Sequence, residues 1–426
     1  MYPARGRFAF SLLTTLAVLF GSNRVPAQTP STTGRVEEAP VFINTAFESG
    51  SIGKIDKLGD NEFRLHVIGQ QDSRGRNRQA TWYYFRMENV ANRELTLRFT
   101  DFIGEYNDVP STRAPIGASY RPWFSEDNEH WQHVDEIGWD AARDEATIKL
   151  RPHRNTIWVA HVPPYTHTRL MRLLDDVRQS PQARVEVFGK SALGRDLHFV
   201  TITDIAQPDT AKKTVWFIAR QHPWEAGTSY VMEGALRFLI SDDPVARQLR
   251  EKTIFKFMPM MNPDGVVLGL PRFNVHGYDT NRQWNLVDLR DKQWLEKMPE
   301  IWYVKTAILS QHARHPIDLV FNLHNDEGNE YMETMIESGP EEAMLERLFA
   351  TLAEKTLFDP SRPTISHVTS GPANTTLVLW PEAHVPTVMM ERRIVASKEI
   401  GRVTTPDDNL TFGRQLITTL AEAVQP

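Results

Sequence analysis

The sequence has 426 residues, of which 41% are hydrophobic and 24% charged, and its formal net charge is −6. These values are typical of a globular protein with an ordinary core, and the length suggests more than one domain. The acidic balance argues against a nucleic-acid partner, because neutralising phosphates needs a basic surplus. The absence of cysteine excludes disulfides, thiolate metal sites and cysteine nucleophiles, so any metal must be held by His, Asp or Glu.

The first residues have the pattern of an export signal. Arg5 and Arg7 precede the apolar run Phe8–Phe20, and Val25-Pro26-Ala27 offers small residues for cleavage. The run is too short for a comfortable membrane span, which needs about 20 residues. We therefore expect a cleaved signal peptide at residues 1–27 and no stable membrane insertion after cleavage. An uncleaved N-terminal anchor is the alternative, and either reading predicts a periplasmic or extracellular bacterial protein.

A polar, Pro/Thr-rich stretch at 28–39 predicts a flexible lead-in. From 40 to 165, short segments alternate apolar and polar residues between turn residues. This pattern, rich in aromatic and β-branched residues, predicts an all-β sandwich domain. The strands expected there are Glu62–Ile68, Thr81–Met87, Leu95–Phe99 and Thr156–Ala160.

The pattern changes over residues 166–426, where apolar runs alternate with longer helical stretches. Strands separated by helices require crossover connections, which predicts an α/β domain with a mixed, largely parallel sheet flanked by helices. The expected strands are Thr214–Ala219, Ile254–Met260, Asp318–Leu323 and Val385–Met390. The expected helices are Thr168–Val177, Glu225–Ile240, Glu341–Thr356 and Leu410–Val424.

Three potential metal ligands follow expected strands. His222 and Glu225 come just after the strand that ends at Ala219, and His324 directly follows Leu323. In open α/β sheets, ligands bind at the carboxyl ends of strands. Two histidines with one glutamate are an established ligand set for catalytic zinc. Taken alone, a His-x-x-Glu pair is weak evidence, since a surface histidine beside a solvated glutamate has the same spacing.

A second cluster contains groups suited to a carboxylate. The Asn281-Arg282 pair offers an amide donor and a guanidinium that can bind both carboxylate oxygens. Arg272 could face negative charge that develops on a carbonyl oxygen. The alternative interpretation of both segments is a set of polar turns.

Taken together, these segments resemble the zinc carboxypeptidase family, in the branch similar to cytosolic carboxypeptidases. The matching elements occur in the family's order: His222-Pro223-x-Glu225, Asn262-Pro263-Asp264-Gly265-Val266, Arg272, Gly277-x-Asp279-x-Asn281-Arg282-x-Trp284 and Leu323-His324. The N-terminal part resembles the small β-domain of that branch, so the resemblance covers about residues 40–425. The segments that carry the resemblance in this part are Phe47-Glu48-Ser49-Gly50, Trp82-Tyr83-Tyr84-Phe85-Arg86, Trp131 and Ala160-His161-Val162-Pro163-Pro164-Tyr165-Thr166.

The resemblance implies a role for each matched residue. His222, Glu225 and His324 would bind one Zn²⁺ per chain, with Asp279 orienting His222. Arg272 would polarise the scissile carbonyl, and Asn281 with Arg282 would hold the terminal carboxylate of a peptide or protein. The family's general base is a glutamate on a strand near the C-terminus, and Glu391 fits that description. The alternative is that the strand ends there and Glu391 reaches solvent, paired with Arg392 or Arg393.

Some residues depart from the family pattern. Trp224 replaces the glycine usual in that branch, and we expect its indole to narrow the cleft. The substrate-binding tyrosine found in many carboxypeptidases has no counterpart at 367–379. The acids within 325–330 are expected to be solvated loop residues.

The resulting prediction is a zinc metallocarboxypeptidase in which a glutamate base and a zinc-activated water cleave the C-terminal peptide bond. Two alternatives stay open. One is a zinc amidase or peptidase that acts on cell-wall peptides or another amide, and the other is a non-catalytic binding module. The sequence sets no expectation for oligomeric state or for the preferred terminal residue.

Overall fold

The structure is a computed structural model that describes residues 39–106, 109–110 and 121–424. The signal peptide expected at residues 1–27 lies outside the described residues, as does the lead-in up to residue 38, so export stays a prediction. Among the described residues, no helix is long and apolar enough to cross a bilayer.

The N-terminal part contains two five-stranded sheets and a small two-stranded ribbon. The first sheet is ordered β1 (Phe42–Asn44), β4 (Tyr84–Glu88), β12 (Thr156–Ala160), β8 (Trp123–Ser125), β9 (Gln132–His133). The second is ordered β10 (Gly138–Asp140), β11 (Glu145–Leu150), β5 (Leu95–Thr100), β3 (Glu62–His66), β2 (Ile55–Lys57). The ribbon pairs β6 (Glu105–Tyr106) with β7 (Val109–Pro110).

One hydrophobic core lies between the two five-stranded sheets. In β3 and β5, buried and half-buried residues alternate, as expected for strands with one face inward. Phe63, Leu97 and Phe99 from one sheet meet Phe85 and Val159 from the other in this core. The predicted all-β sandwich is therefore confirmed.

The C-terminal part is built on one mixed sheet of eight strands. Its order is β13 (Ala183–Lys190), β14 (Asp196–Ile202), β16 (Thr253–Met258), β15 (Lys213–Ile218), β17 (Leu319–Asp326), β20 (Thr387–Arg393), β18 (Tyr331–Thr334), β19 (Ser366–His367). The four central strands β16, β15, β17 and β20 run parallel, while β13, β14 and β18 pair antiparallel to their inner neighbours. The predicted mixed, largely parallel sheet is confirmed.

Helices cover both faces of this sheet. They are α1 (His167–Arg178), α2 (Ala226–Leu239), α3 (Pro244–Lys252), α4 (Pro263–Leu268), α5 (Gln293–Lys297), α6 (Pro299–Arg314), α7 (Pro340–Lys355), α8 (Thr375–Ala383) and α9 (Pro406–Ala423), with a 3₁₀ turn at Asp209–Ala211. Helices α1, α2, α7 and α9 share one hydrophobic cluster with the sheet, and α6 and α8 share another on the opposite face.

The expected elements are present with shifted ends. The last helix begins at Pro406 rather than Leu410, because Thr405 and Asp408 form a capping box that starts it earlier. Helix α6 was not among the expected helices. The domain boundary at residue 165 stays a prediction, and the structure has the last sandwich strand ending at Ala160 and α1 beginning at His167.

The first turn of α6 contains a buried acid, Glu300, with 0% exposure. Its Oε2 accepts a hydrogen bond from Asn274 Nδ2 at 3.2 Å. Burial raises the pKa of Glu300 from 4.5 to about 7. The folded protein therefore binds this proton more tightly than the unfolded chain does. The stability contributed by protonated Glu300 is present in full below about pH 4.5 and is lost as the pH rises through about 7.

We expect Glu300→Gln to abolish the loss of folding stability at high pH. Glutamine has nearly the same shape as glutamate and can still accept the hydrogen bond from Asn274, but it carries no charge. The variant should exceed the parent in free energy of unfolding at pH 8 by on the order of 3 kcal/mol, with little difference at pH 5. Urea unfolding at both pH values measures this. Glu296→Gln, at an exposed position in α5, is the matched control. An equal effect of Glu300→Gln at both pH values would contradict the prediction.

Candidate metal and substrate site

A strained loop follows β15 and presents two of the expected ligands. Arg220 has a left-handed backbone (φ 57°) and is 1% exposed. Its guanidinium donates to the carbonyl of Pro223 at 2.7 and 3.0 Å, to that of Tyr165 at 3.1 Å and to Ser229 Oγ at 3.0 Å. These bonds satisfy a buried cation and hold the loop in one conformation. His222 and Glu225 lie on this loop, and Glu225 is the last residue before α2.

The structure brings His222, Glu225 and His324 together, although His324 comes from β17. Their exposures are 2%, 2% and 0%. His222 Nδ1 lies 2.6 Å from Glu225 Oε1, and His324 Nδ1 lies 2.9 Å from Glu225 Oε2. One donor atom from each residue falls within 4.8 Å of the others. Two imidazoles and one carboxylate at this spacing form a triad able to bind a metal ion, and they leave a position open for water or substrate.

The far nitrogen of each histidine is held by another side chain. His222 Nε2 lies 3.1 Å from Asp279 Oδ1, and His324 Nε2 lies 2.9 Å from Gln221 Oε1. Partners of this kind fix the ring orientation and leave the opposite nitrogen for the metal. The sequence indicated Asp279 but not Gln221. The only signal for Gln221 is its position next to His222, which does not reveal contact with a residue about a hundred positions away.

Arg272 lies beside the triad and is held by both domains. Its Nε donates to Asp279 Oδ2 at 2.7 Å. The side-chain amide of Gln70, from the sandwich, accepts from the backbone N–H of Arg272 at 3.1 Å and of Phe273 at 2.8 Å. The same amide donates to the carbonyls of Phe273 and Asn274 at 3.2 and 3.0 Å. The N-terminal domain therefore positions a segment of the site, a contact that the sequence did not indicate.

Asn281 and Arg282 differ in exposure. Asn281 is 1% exposed, with Nδ2 3.0 Å from His324 Nε2 and Oδ1 accepting from Thr375 N at 3.2 Å. Arg282 is half-buried, and its Nη1 donates to the Asn281 carbonyl at 2.9 Å. Burial raises the pKa of Glu391, and the nearby Arg282 charge lowers it by a smaller amount.

Glu391 occupies the same row of the sheet as His324. The two residues are direct partners in the β17–β20 pairing, and Tyr331 of β18 is the partner of Glu391 on its other side. Glu391 is half-buried, and its Oε2 has no hydrogen-bond partner within the described chain. Burial, followed by the charges of Glu225 and Asp326, raises the pKa of Glu391 well above 4.5. The phenol side chain of Tyr331 also belongs to this row. The sequence did not indicate this residue.

The structure contradicts the alternative in which Glu391 pairs with its neighbours. Arg392 Nη1 lies 2.9 Å from Glu330 Oε1, and Arg393 Nε lies 3.4 Å from Glu330 Oε2. The expectation that the acids after His324 are solvated is wrong for Glu330, which is 0% exposed, and for Asp326, which is 7% exposed. Asp326 accepts backbone hydrogen bonds within its own turn. Neighbouring arginines therefore neutralise Glu330 instead of Glu391.

A cleft of about 140 Å³ opens next to the triad, between the sandwich and the α/β part. Residues from both parts line it, including Asp72, Arg74, Arg272, Asp279, Arg282 and Pro372. Both arginines of the candidate site, Arg272 and Arg282, therefore line this cleft.

Comparisons with known proteins agree with this architecture. A family model described as zinc carboxypeptidase matches residues 170–324, and one described as the cytosolic carboxypeptidase N-terminal domain matches residues 43–162. The chain belongs to the zinc carboxypeptidase family. The recognition made from the sequence motifs is thereby confirmed.

Relatives of this chain include bacterial and mammalian proteins. Mouse cytosolic carboxypeptidase 3 is 28% identical over 328 residues, which cover 71% of this chain and 31% of the mouse protein. Human cytosolic carboxypeptidase 2 is 30% identical over 291 residues, covering 64% and 31%. An uncharacterised Zymomonas mobilis protein is 30% identical over 287 residues, covering 67% of each chain. The chain thus spans about a third of the length of the mammalian relatives.

Solved structures share the fold along nearly the whole chain. A metallo-carboxypeptidase from Burkholderia cenocepacia is 25% identical with a TM-score of 0.76, covering 91% of this chain and 99% of its own. One from Pseudomonas aeruginosa has a TM-score of 0.77 at 23% identity, covering 90% and 100%. These matches include the sandwich, so the chain shares both of its parts with known structures.

Trp224, the departure from the family pattern next to Glu225, has a structural role at the domain junction. It is 3% exposed and belongs to the core cluster that contains α2. Its ring lies 5.5 Å from that of His161, at the end of the sandwich. The indole therefore packs into the core, and the expectation that it narrows the cleft is not supported.

Proposed function

We propose that this chain is a zinc-dependent metallocarboxypeptidase that removes the C-terminal residue of peptides or proteins. The observation that carries the proposal is the assembly of His222, Glu225 and His324 next to two arginines and a half-buried glutamate. Family membership supports peptidase chemistry, and the arginines support a substrate with a free carboxylate.

Zinc fits the donor set, since two imidazole nitrogens and one carboxylate, each imidazole with an orienting partner, are its usual ligands in catalytic sites. When bound, zinc lowers the pKa of a coordinated water and polarises a carbonyl oxygen. His222, Glu225 and His324 would hold the ion, while Asp279 and Gln221 keep the two rings in place.

Glu391 is the proposed general base. It would take a proton from the attacking water and deliver it to the leaving amine nitrogen. Burial and nearby acids raise its pKa, which favours retention of the proton between these two steps. Arg272 would donate hydrogen bonds to the scissile carbonyl oxygen as negative charge develops there. The Asp279 carboxylate that holds Arg272 also holds His222, so one acid positions both groups.

Arg282 is the proposed anchor for the terminal carboxylate, with Asn281 beside it. A guanidinium binds a carboxylate through two parallel hydrogen bonds, which fixes direction as well as position. Only the last residue of a chain has a free α-carboxylate, so this anchor would favour cleavage of the terminal bond.

The experiment that tests this proposal compares two peptides of identical sequence, one with a free C-terminus and one amidated. Release of the last residue is followed by mass spectrometry, with and without a zinc chelator. We expect cleavage of the free peptide only, and loss of that cleavage with chelator. Equal cleavage of both peptides would refute the carboxypeptidase assignment and favour an amidase. Cleavage only of cell-wall stem peptides would narrow the substrate to that class.

The Gln70 amide gives a test of the contribution from the N-terminal domain. We expect Gln70→Leu to lower kcat by roughly tenfold to a hundredfold, because the segment carrying Arg272 loses four hydrogen bonds and small displacements of a catalytic group are costly. KM and bound zinc should change much less, since neither the carboxylate anchor nor the ligands contact Gln70. Gln71→Leu, at an exposed neighbouring position, is the control. A Gln70→Leu variant with unchanged kcat would contradict the positioning role.

A further inference from the structure

A second cleft, of about 530 Å³, lies between the sandwich and the α/β part and shares no lining residue with the cleft beside the triad. We call it the junction cleft. Its volume is within the range typical of clefts that bind small organic ligands. The charged residues that line it are Glu48, Glu129, Arg169, Arg172, Glu233 and Arg237.

One guanidinium group of the junction cleft is held in a fixed orientation. Glu233 is 4% exposed, and its Oε2 accepts a hydrogen bond from Arg169 Nε at 3.0 Å. Arg169 Cζ lies 4.8 Å from the centre of the Tyr230 ring and 5.2 Å from that of Tyr165, at cation–π distance. The two terminal nitrogens of Arg169 donate no hydrogen bond to any residue that the structure describes. A buried acid and two rings thus orient a guanidinium whose outer donors are available to a ligand.

Arg172 brings a second guanidinium to the same wall of the junction cleft. It follows Arg169 by three residues in α1, so the two side chains lie on the same face of the helix. Arg172 is exposed and has no hydrogen bond or ion pair within the described part of the chain. Glu233 does not neutralise it, because the second oxygen of Glu233 accepts from Arg237 Nε at 2.8 Å. Two neighbouring guanidinium groups are well suited to bind a carboxylate.

The sandwich wall of the junction cleft is acidic and aromatic. Glu48 and Glu129 line it together with Phe47, Tyr84 and Trp131. The centre of the Tyr84 ring lies 4.9 Å from that of Phe47 and 6.0 Å from that of Trp131, so the three rings form one cluster. The Glu129 carboxylate has no hydrogen bond or ion pair among the described residues, and the Glu48 carboxylate accepts one hydrogen bond from the first turn of α1. Carboxylates beside aromatic rings attract a cation.

The two walls of the junction cleft therefore differ in charge. Three arginines outnumber one glutamate on the α/β wall, and two glutamates line the sandwich wall. A ligand with a single charge would be attracted by one wall and repelled by the other. A short peptide with free ends has a carboxylate and an ammonium group on one molecule, and its backbone would lie against the aromatic cluster.

We propose that the junction cleft is a second binding site, which takes short peptides with free ends. Arg169 and Arg172 bind the carboxylate of the peptide, and Glu48 and Glu129 face its ammonium group. This site goes beyond the proposed function, because it contains none of the groups proposed for cleavage.

The test counts the triglycine molecules bound per chain by equilibrium dialysis. The starting protein is the zinc-loaded Glu391→Gln variant, which should not consume the peptide. We expect two bound molecules, one in the junction cleft and one at the catalytic site. Adding Arg172→Gln should weaken one of them by roughly tenfold to a hundredfold, as for a lost hydrogen bond to a charged group, and adding Arg282→Gln should weaken the other. Arg247→Gln, exposed in α3, is the matched control.

Two modified peptides test the charges of the ligand. In the Glu391→Gln protein that also has Arg282→Gln, triglycine amide and acetyl-triglycine should each bind roughly tenfold more weakly than triglycine, because each lacks one charged end. Triglycine binding that Arg172→Gln leaves unchanged would overturn the proposal, as would equal binding of the amide. An effect of Arg172→Gln without one of Arg282→Gln would support the junction cleft and refute the catalytic anchor. Arg172 is exposed, so its substitution should leave the fold intact, which circular dichroism checks.

Discussion

Replacing Glu391 with glutamine is expected to lower kcat by about a thousandfold, within the 10²–10⁴ range for loss of a general acid–base group. Glutamine has nearly the same shape but cannot accept and return the proton. Glu391 lies in the same row as His324, and its Oε2 has no hydrogen-bond partner in the part of the chain that the structure describes. The substitution should therefore disturb little besides the proton transfer.

Zinc content and peptide binding distinguish this effect from a structural one. The Glu391→Gln variant should retain one zinc per chain and bind a substrate peptide with an affinity close to that of the parent. Single-turnover kinetics and metal analysis on the same preparation measure both. Glu354→Gln, on the exposed side of α7, is the matched control. A variant that turns over at more than about a tenth of the parent rate would rule out Glu391 as the base.

The second large effect is expected from His324→Ala, which should abolish both zinc retention and activity. The residue is 0% exposed and is one of the three residues that could hold the ion, so the remaining two would bind it far more weakly. Gln221→Leu keeps all three candidate ligands but removes one partner of the His324 ring, together with the hydrogen bond from the Gln221 amide to the Thr280 carbonyl, and should cost roughly 10–100-fold in zinc affinity. Dialysis against a graded series of chelator concentrations should therefore rank the parent first, Gln221→Leu second and His324→Ala last.

Substitution of an exposed histidine distinguishes the loss of a metal ligand from a general loss of stability. The His130 side chain is 91% exposed, and His130→Ala should keep the parent's zinc content and rate. Truncating a buried side chain also lowers stability, so thermal unfolding of each zinc-free protein shows whether the fold persists. A His324→Ala protein that keeps one zinc per chain would disprove the ligand assignment.

Much of the candidate site was recognisable from local sequence, because each group sits in a short segment with its own motif. His222 and Glu225 lie on one loop with two residues between them, and Asn281 and Arg282 are adjacent. Glu391 was indicated by the family resemblance, because a charge at the end of an apolar run also fits a residue that reaches solvent, and its role as the base stays a prediction. The fold class followed from periodicity, since a strand repeats every two residues and a helix every 3.6. Helix ends were less predictable, as Pro406 shows, because they depend on side-chain caps.

Other contributors to the site could not be found in this way. Gln70 contacts Arg272 across about 200 residues of chain, and Gln221 contacts His324 across about a hundred. An amide side chain has no periodicity or spacing that signals such a partner. Trp224 and Glu330 illustrate the same limit, since a wide indole and a loop acid were expected in the cleft and in solvent. Both are buried by groups that are distant in sequence.

The sequence by itself determined the classes of chemistry open to this protein: no thiolate, a candidate His/Glu metal set and an Asn-Arg pair suited to a carboxylate, on a β-sandwich joined to an α/β sheet. Those conclusions depend on residue type and local spacing, which the linear chain contains. Only the tertiary structure decided which groups orient the candidate metal ligands and which acids are neutralised. These points depend on contacts between residues far apart in the sequence, such as Gln221 with His324 and Arg392 with Glu330, which only folding brings together.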